Sequence, residues 1–116
     1  MSVLDENIAK LDGYLARFGD KGILNHIAGE DLAGSGGVFQ TISPVNKSVI
    51  CDVALGAATD IDAAANAAHD AFATWRDMPA SERKKIILRI AEGIEARAEE
   101  IALCECWDTG QAYKFM

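Results

Sequence analysis

Val38-Phe39-Gln40-Thr41-Ile42-Ser43-Pro44-Val45-Asn46-Lys47-Ser48-Val49-Ile50-Cys51-Asp52-Val53-Ala54-Leu55 reads as two extended runs around a turn. In residues 38–42, Val38, Gln40 and Ile42 alternate against Phe39 and Thr41, the period of two that a strand requires. Residues 43–48 carry turn chemistry: Pro44 has a fixed φ, and Ser and Asn side chains bond to nearby backbone. Residues 49–55 are a second β-rich run. The simplest arrangement of two such runs is an antiparallel hairpin.

Upstream, residues 24–29 predict a short strand, and the four glycines between Gly29 and Gly37 predict a loop. Farther back, Leu4, Ile8, Leu11, Leu15 and Phe18 recur at steps of four and three, one stripe of an amphipathic helix over residues 3–18. Gly19 and Gly22 end it. Downstream, Thr59-Asp60-Ile61-Asp62 predicts a helix start with Thr59 as the cap. Ile61, Ala64, Ala65, Ala68, Ala71, Phe72 and Trp75 form the apolar face, and Pro79 stops the helix. Ser81 is the expected cap of one further long helix, with Ile87, Ile90, Ala91, Ile94, Ala98, Ile101 and Ala102 inward and Gly110 at its end. Trp75 and Trp107 stand at or near helix ends, where an indole packs with its N–H toward the surface. The last residues, Lys114-Phe115-Met116, carry no polar tail or turn signal and read as a cut within an element.

The chain has 116 residues, 50% of them hydrophobic and 25% charged, which is ordinary globular composition. A net charge of −7 argues against nucleic acid and anionic membrane as partners, since both attract basic patches. The basic run Arg83-Lys84-Lys85 reads as a solvated face. No run approaches the roughly 20 apolar residues of a membrane span, and the acidic start lacks the form of a secretory signal. Three cysteines, an odd number, do not make a disulfide framework. These features together predict a cytoplasmic protein.

The candidate chemistry is sparse. Cys104 and Cys106 are two apart and point in different directions on a helix, with no second ligand pair for zinc. No base stands near Cys51, Cys104 or Cys106 to make a nucleophile. Gly34-Ser35-Gly36-Gly37 lacks the spacing of a phosphate loop and precedes a strand where a helix is required. Glu99, Glu100 and Glu105 read as solvated helix carboxylates.

In order along the chain, the segments resemble the N-terminal portion of NAD(P)-dependent aldehyde dehydrogenases. His26-Ile27-Ala28-Gly29-Glu30 looks like the family's early strand. Phe39 through Ile50 resembles its F-x-V-x-N-P-x-x-G-x-V-I hairpin. Ser43 stands for the usual Asn, and Lys47-Ser48 for the usual Gly-Glu, which leaves that turn more strained. Ala71-Phe72 with Trp75-Arg76 resembles the end of the first helix. Pro79–Arg83 and Ile94–Glu100 resemble the second. Asp108-Thr109-Gly110-Gln111 resembles the D-x-G-K that follows, with Gln for Lys. The stretch Glu105–Tyr113 looks most like the 5-carboxymethyl-2-hydroxymuconate semialdehyde dehydrogenases of aromatic-acid breakdown. The resemblance covers roughly residues 24–112.

The resemblance implies an α/β fragment: an N-terminal helix, an antiparallel strand pair, then two amphipathic helices. It divides the chain into a helical extension at 1–22, a strand hairpin at 23–58, and a two-helix segment at 59–116 flanking the family's dinucleotide-binding domain. It implies oxidation of an aldehyde or semialdehyde to an acid with NAD or NADP. A cysteine thiolate attacks the carbonyl, hydride leaves to the cofactor, and a glutamate-activated water releases the acid. An asparagine and a backbone amide hold the oxyanion. The family's nucleophile, glutamate, asparagine and phosphate-contacting lysine all correspond to sequence beyond residue 116. No catalytic or NAD-contacting residue therefore carries over, this chain alone is expected to be inactive, and no cofactor is expected on it alone. One site carries over: a structural monovalent cation held between Asp108 and the backbone carbonyl of Ile42, suited to hard oxygen donors. The alternative for Asp108 is acceptance from turn amides near Gly110. An oligomer, or completion by the rest of the subunit, is the expected partner. The rival reading is a non-catalytic helical module that docks on a partner protein.

Overall fold

The structure is a computed structural model and describes residues 1–115, the last of them by its backbone. The expectation of a cut at 114–116 therefore lies partly outside the described residues. Helix α1 (Val3–Leu15) continues into one 3₁₀ turn, Ala16–Phe18. Its start is a capping box: Ser2 Oγ accepts from the Asp5 amide at 3.3 Å, and Asp5 Oδ2 accepts from the Ser2 amide at 2.8 Å. The expected hairpin is present, as β3 (Val38–Ile42) paired antiparallel with β4 (Val49–Ala54). The register shifts between Thr41 and Ile42, a bulge at the edge of the turn.

A second hairpin precedes it. The expected strand at 24–29 is shorter, β1 (Asn25–Ile27), and the expected loop holds β2 (Glu30–Leu32). Ala28 and Gly29 join them, both at positive φ, as the tight turns that match strand twist require. All of β2 is exposed, so it has no inward face to betray it in sequence.

The helical half also differs from expectation. Helix α2 (Ala58–Asp77) is capped at Ala57, not Thr59. The capping carboxylate is Asp60, which accepts from the Ala57 amide at 2.7 Å and from the Ser35 amide at 2.9 Å. Helix α3 (Ala80–Ala96) starts two residues earlier than a cap at Ser81 would give, with Pro79 at the cap position, where its missing N–H costs nothing. The long helix is broken: Arg97, at φ −117° and ψ 17°, leaves the helical range, and α4 (Ala98–Thr109) begins after it. Gly110, at φ +76°, ends α4 as expected.

The core is small. Leu11, Cys51 and Leu103 are the buried apolar residues among those described, and Ser43 is the buried polar one. Leu11 and Leu103 lie on α1 and α4, which pack together. Ion pairs close the same contact. Glu99 accepts from Lys10 Nζ at 2.6 Å and from Tyr14 Oη at 2.9 Å, while Glu100 takes Arg97 and Arg17. Two of the three carboxylates read as solvated, Glu99 and Glu100, thus form the clamp between α1 and α4. Gly22 lets the chain return to the sheet: a Cβ there would stand 2.1 Å from the Asp52 carbonyl oxygen. The next residue, Ile23, then bonds to β4 on both sides, through Asp52 O and the Ala54 amide. The radius of gyration is 17.6 Å, against about 13 Å for a compact domain of this length. The excess comes with α2 and α3, neither of which buries a residue.

Two outcomes follow from these contacts. Lys47 sits at φ +66°, in the left-handed region that glycine occupies without cost. Lys47→Gly should therefore raise stability by about 1 kcal/mol, read from the urea midpoint; an unchanged or lower midpoint would show the turn unstrained. The second concerns acid. Hydrogen bonds from Lys10 and then Tyr14 hold Glu99 below the ordinary value of 4.5, and Arg97 and then Arg17 do the same for Glu100. A depressed carboxylate contributes stability that is whole above its unfolded value and lost as pH falls through the folded one. Amide exchange in α1 should thus accelerate below about pH 4.5 while β3–β4 stays protected, and high salt should shift the release upward in pH. An α1 that remains protected to pH 3 would rule the clamp out.

Candidate functional site

The end of α4 is fastened to the β3–β4 turn. Ser43 is fully buried, and its Oγ donates to the Trp107 carbonyl at 2.7 Å and accepts from the Val45 amide at 3.2 Å. This satisfies a carbonyl in the last turn of α4, where helices leave such groups unpaired. Gly110 packs beside it: a Cβ there would come within 3.1 Å of Pro44 Cγ. Ser43 is therefore small enough to be enclosed and polar enough to bond both elements.

Asp108 lies one residue on. Its Oδ1 accepts from Thr41 Oγ1 at 2.6 Å. Thr41 immediately precedes Ile42, and the bulge between them turns the backbone where β3 meets the turn. Asp108 is thus brought beside the segment that holds Ile42. The turn amides near Gly110 go elsewhere: the Gln111 amide donates to Thr109 Oγ1 at 3.3 Å, and the Gly110 amide to the Cys106 carbonyl. The alternative partner for Asp108 is accordingly corrected to Thr41, 67 residues away in sequence. The oxygens brought together here are the Asp108 carboxylate and the Thr41 hydroxyl, hard donors of the kind that suit a hard cation rather than zinc or copper. Among the described residues no three His, Cys, Asp or Glu side chains converge as a metal set.

Beside this corner lies an open groove of about 530 Å³ between the end of α1, one face of β3–β4 and α4. Phe39, Thr41, Cys51 and Val53 form its strand side, and Ile101 and Cys104 its helix side. Both thiols are held above their ordinary value. Burial is the first cause for each, followed for Cys51 by the negative charges of Asp108 and Asp52 and for Cys104 by that of Glu100. A thiol pushed upward is mostly protonated at neutral pH and is a poor nucleophile. His26 pairs with Asp31 across the exposed β1–β2 hairpin at 2.8 Å. Neither residue lines the groove.

The glycine-rich loop does not fit a dinucleotide phosphate. The Ser35 amide and hydroxyl both donate to Asp60, at 2.9 and 2.6 Å. The Gly36 amide donates to the Leu55 carbonyl, and the Gly37 amide to the Gly34 carbonyl. A carboxylate already stands at the start of α2, in the place an anion would take. Sequence reading missed Ser35, Thr41 and Ser43 as partners. These three bonds reach across 25 to 67 residues, so no local spacing marks them.

Comparison with known proteins gives the same picture. The aldehyde dehydrogenase family model matches residues 32–116. An aldehyde dehydrogenase of Vibrio cholerae serotype O1 is 42% identical over 88 residues, 75% of this chain and 17% of that protein. The mitochondrial benzaldehyde dehydrogenase of Antirrhinum majus is 45% identical over 84 residues, 71% of this chain and 16% of that one. The crystal structure of HpcC from Thermus thermophilus superposes with a TM-score of 0.86 at 37% identity, covering 93% of this chain and 21% of HpcC. The chain thus spans about a sixth of the length of the curated relatives it matches. Among the described residues no helix is long and apolar enough to cross a membrane. With the family model over 85 of its 116 residues, the β3–β4 hairpin and the three α-helices after it included, the chain belongs to the aldehyde dehydrogenase family.

Proposed function

We propose that this chain is the N-terminal segment of a cytoplasmic aldehyde dehydrogenase that oxidises a semialdehyde to a carboxylic acid with NAD or NADP, in the breakdown of aromatic compounds. The observation that carries the reading is the fit to HpcC, at 0.86 over 93% of this chain but only 21% of HpcC. The semialdehyde class rests on that likeness and on the stretch Glu105–Tyr113. In this reading residues 1–22 are a helical extension, 23–58 a strand unit and 59–116 a helical segment beside the dinucleotide-binding domain. Substrate and cofactor are held by the remainder of the subunit. Raised thiols, and loop amides already bonded within the chain, support a chain that does not turn over alone.

NADH or NADPH formation at 340 nm, with the purified chain and a panel of aldehydes and semialdehydes, should match the protein-free control. A protein-dependent rate that disappears in Cys51→Ala, Cys104→Ala or Cys106→Ala would assign a nucleophile to this chain and overturn the inactive reading.

Asp108 and the Ile42 carbonyl are proposed as two ligands of a structural monovalent cation, with Thr41 orienting the carboxylate. Asp108→Asn keeps an acceptor for Thr41 and removes the charge. Sodium or potassium should stabilise the chain relative to tetramethylammonium at equal ionic strength, by about 1.4 kcal/mol at ten times the dissociation constant. That gain should vanish in Asp108→Asn. Equal melting in all three salts would eliminate the site.

A further inference from the structure

The β3–β4 sheet has one guarded edge and one open edge. It is two-stranded, in the order β3–β4. On the β4 side, Ile23 lies against the strand: its amide donates to the Asp52 carbonyl and its carbonyl accepts from the Ala54 amide, both at 2.8 Å. Facing residues in an antiparallel ladder alternate between pairs that bond to each other and pairs whose backbone groups point outward. Asp52 and Ala54 belong to outward pairs, because they bond to Ile23. Their partners across the ladder are Gln40 and Val38. Val38 and Gln40 therefore turn their own N–H and C=O groups to the far side of β3, where no strand of the described residues stands. Phe39 and Thr41 spend theirs on β4.

Exposed edge strands are commonly blunted by charge, by proline or by a bulge. The β1–β2 hairpin carries His26, Glu30 and Asp31. Val38-Phe39-Gln40-Thr41-Ile42 carries neither charge nor proline and is rich in strand formers. The bulge does not interrupt it, since the unmatched residue is Ile50, on β4. Val38, Phe39 and Ile42 are 65%, 48% and 53% exposed.

We infer that the open edge of β3 is a self-pairing surface, on which β3 of a second copy of this chain adds antiparallel to make a four-stranded sheet. The strand's own sequence selects this occupant. A two-fold axis at Gln40 sets Gln40 opposite Gln40 of the second copy, and their outward N–H and C=O groups exchange two bonds. Val38 then faces Ile42, and Phe39 faces Thr41. These are an apolar pair and an aromatic–β-branched pair, of the kinds that stabilise a ladder. Charge permits the same choice. The chain carries −7, so two copies repel each other in general, but the paired strands set no charged side chain opposite another. The carboxylate beside the strand, Asp52 on β4, accepts from Gln40 Nε2 at 3.2 Å. The two Asp52 side chains would stand three strand spacings apart, about 14 Å, beyond the screening length of about 8 Å at physiological salt. A contact of two edge strands is small, so the dimer is weak and fills only at high concentration.

The test combines sedimentation of the whole chain from about 10 μM to about 1 mM with residue-resolved amide exchange at both ends of that range. The chain should pass from monomer to dimer. The Val38 and Gln40 amides should slow several-fold as it does, and those of Phe39 and Thr41, already bonded to β4, should change less. Gln40→Pro removes an outward N–H and no bond to β4, a position where edge strands tolerate proline. It should leave melting nearly unchanged and raise the dissociation constant by about tenfold or more. Val38→Lys should weaken the dimer likewise, by setting a charge against Ile42 of the second copy, and it decides the matter if Gln40→Pro fails to fold. A chain that stays monomeric throughout overturns the inference. So does a dimer that leaves the Val38 and Gln40 amides unprotected, or that survives a folded variant, because it then associates through another face, such as the exposed stripes of α2 and α3.

Discussion

The hydrogen bond from the buried Ser43 hydroxyl to the Trp107 carbonyl joins residues 64 apart and fixes where α4 lies on the hairpin. Breaking it would leave the fully buried Ser43 hydroxyl without its acceptor, at a cost of about 1–3 kcal/mol. Its neighbours follow from it. Gly110 can approach Pro44 because α4 ends there, and Thr41 can reach Asp108 because the bulge and the helix end are held together. With α4 in place, Glu99 and Glu100 face Lys10, Tyr14 and Arg17, and α1 has a surface to lie on. The groove, the oxygen-lined corner and the clamp are consequences of one small polar side chain enclosed between a turn and a helix.

That arrangement completes only half of the molecule. The half built from α1, β3–β4 and α4 holds every buried residue among those described. The half built from α2 and α3 has helical propensity, a fixed corner and an exposed apolar face, and neither helix buries a residue. The chain contains ionisable groups and three thiols, and Cys51 and Cys104 are pushed away from the reactive thiolate state. A structure that positions one corner firmly and leaves another face open is suited to supporting chemistry performed by other residues. The family to which the chain belongs, and the share of its relatives it spans, agree with that division.

What was legible in sequence followed local physics. The β3–β4 hairpin was visible because Phe39 and Thr41 alternate with outward residues around a Pro-Asn turn, and the end of α4 because Gly110 takes a left-handed conformation. The strain expected in the turn at Lys47-Ser48 agrees with the φ of +66° at Lys47, a conformation that favours glycine. The misses have a common cause. Glu30-Asp31-Leu32 forms a strand with no buried face, so no periodicity marks it. The break at Arg97 is a backbone event inside an uninterrupted helical pattern. Thr59 was the better local cap, but Ser35, 25 residues away, binds Asp60 and moves the cap to Ala57. Likewise the partner of Asp108 was sought in its own turn and stands on a strand. Long-range polar pairing leaves no spacing to read.

Hydrogen exchange on the isolated chain at neutral pH tests the division of the molecule most directly. Amides of β3–β4 and of α4 near Trp107 should exchange slowest, with α1 next. Those of α2 and α3 should exchange orders of magnitude faster, since local opening there exposes no buried surface. Uniform protection across all four helices would contradict the division, because it would require α2 and α3 to be packed as firmly as the Ser43 corner.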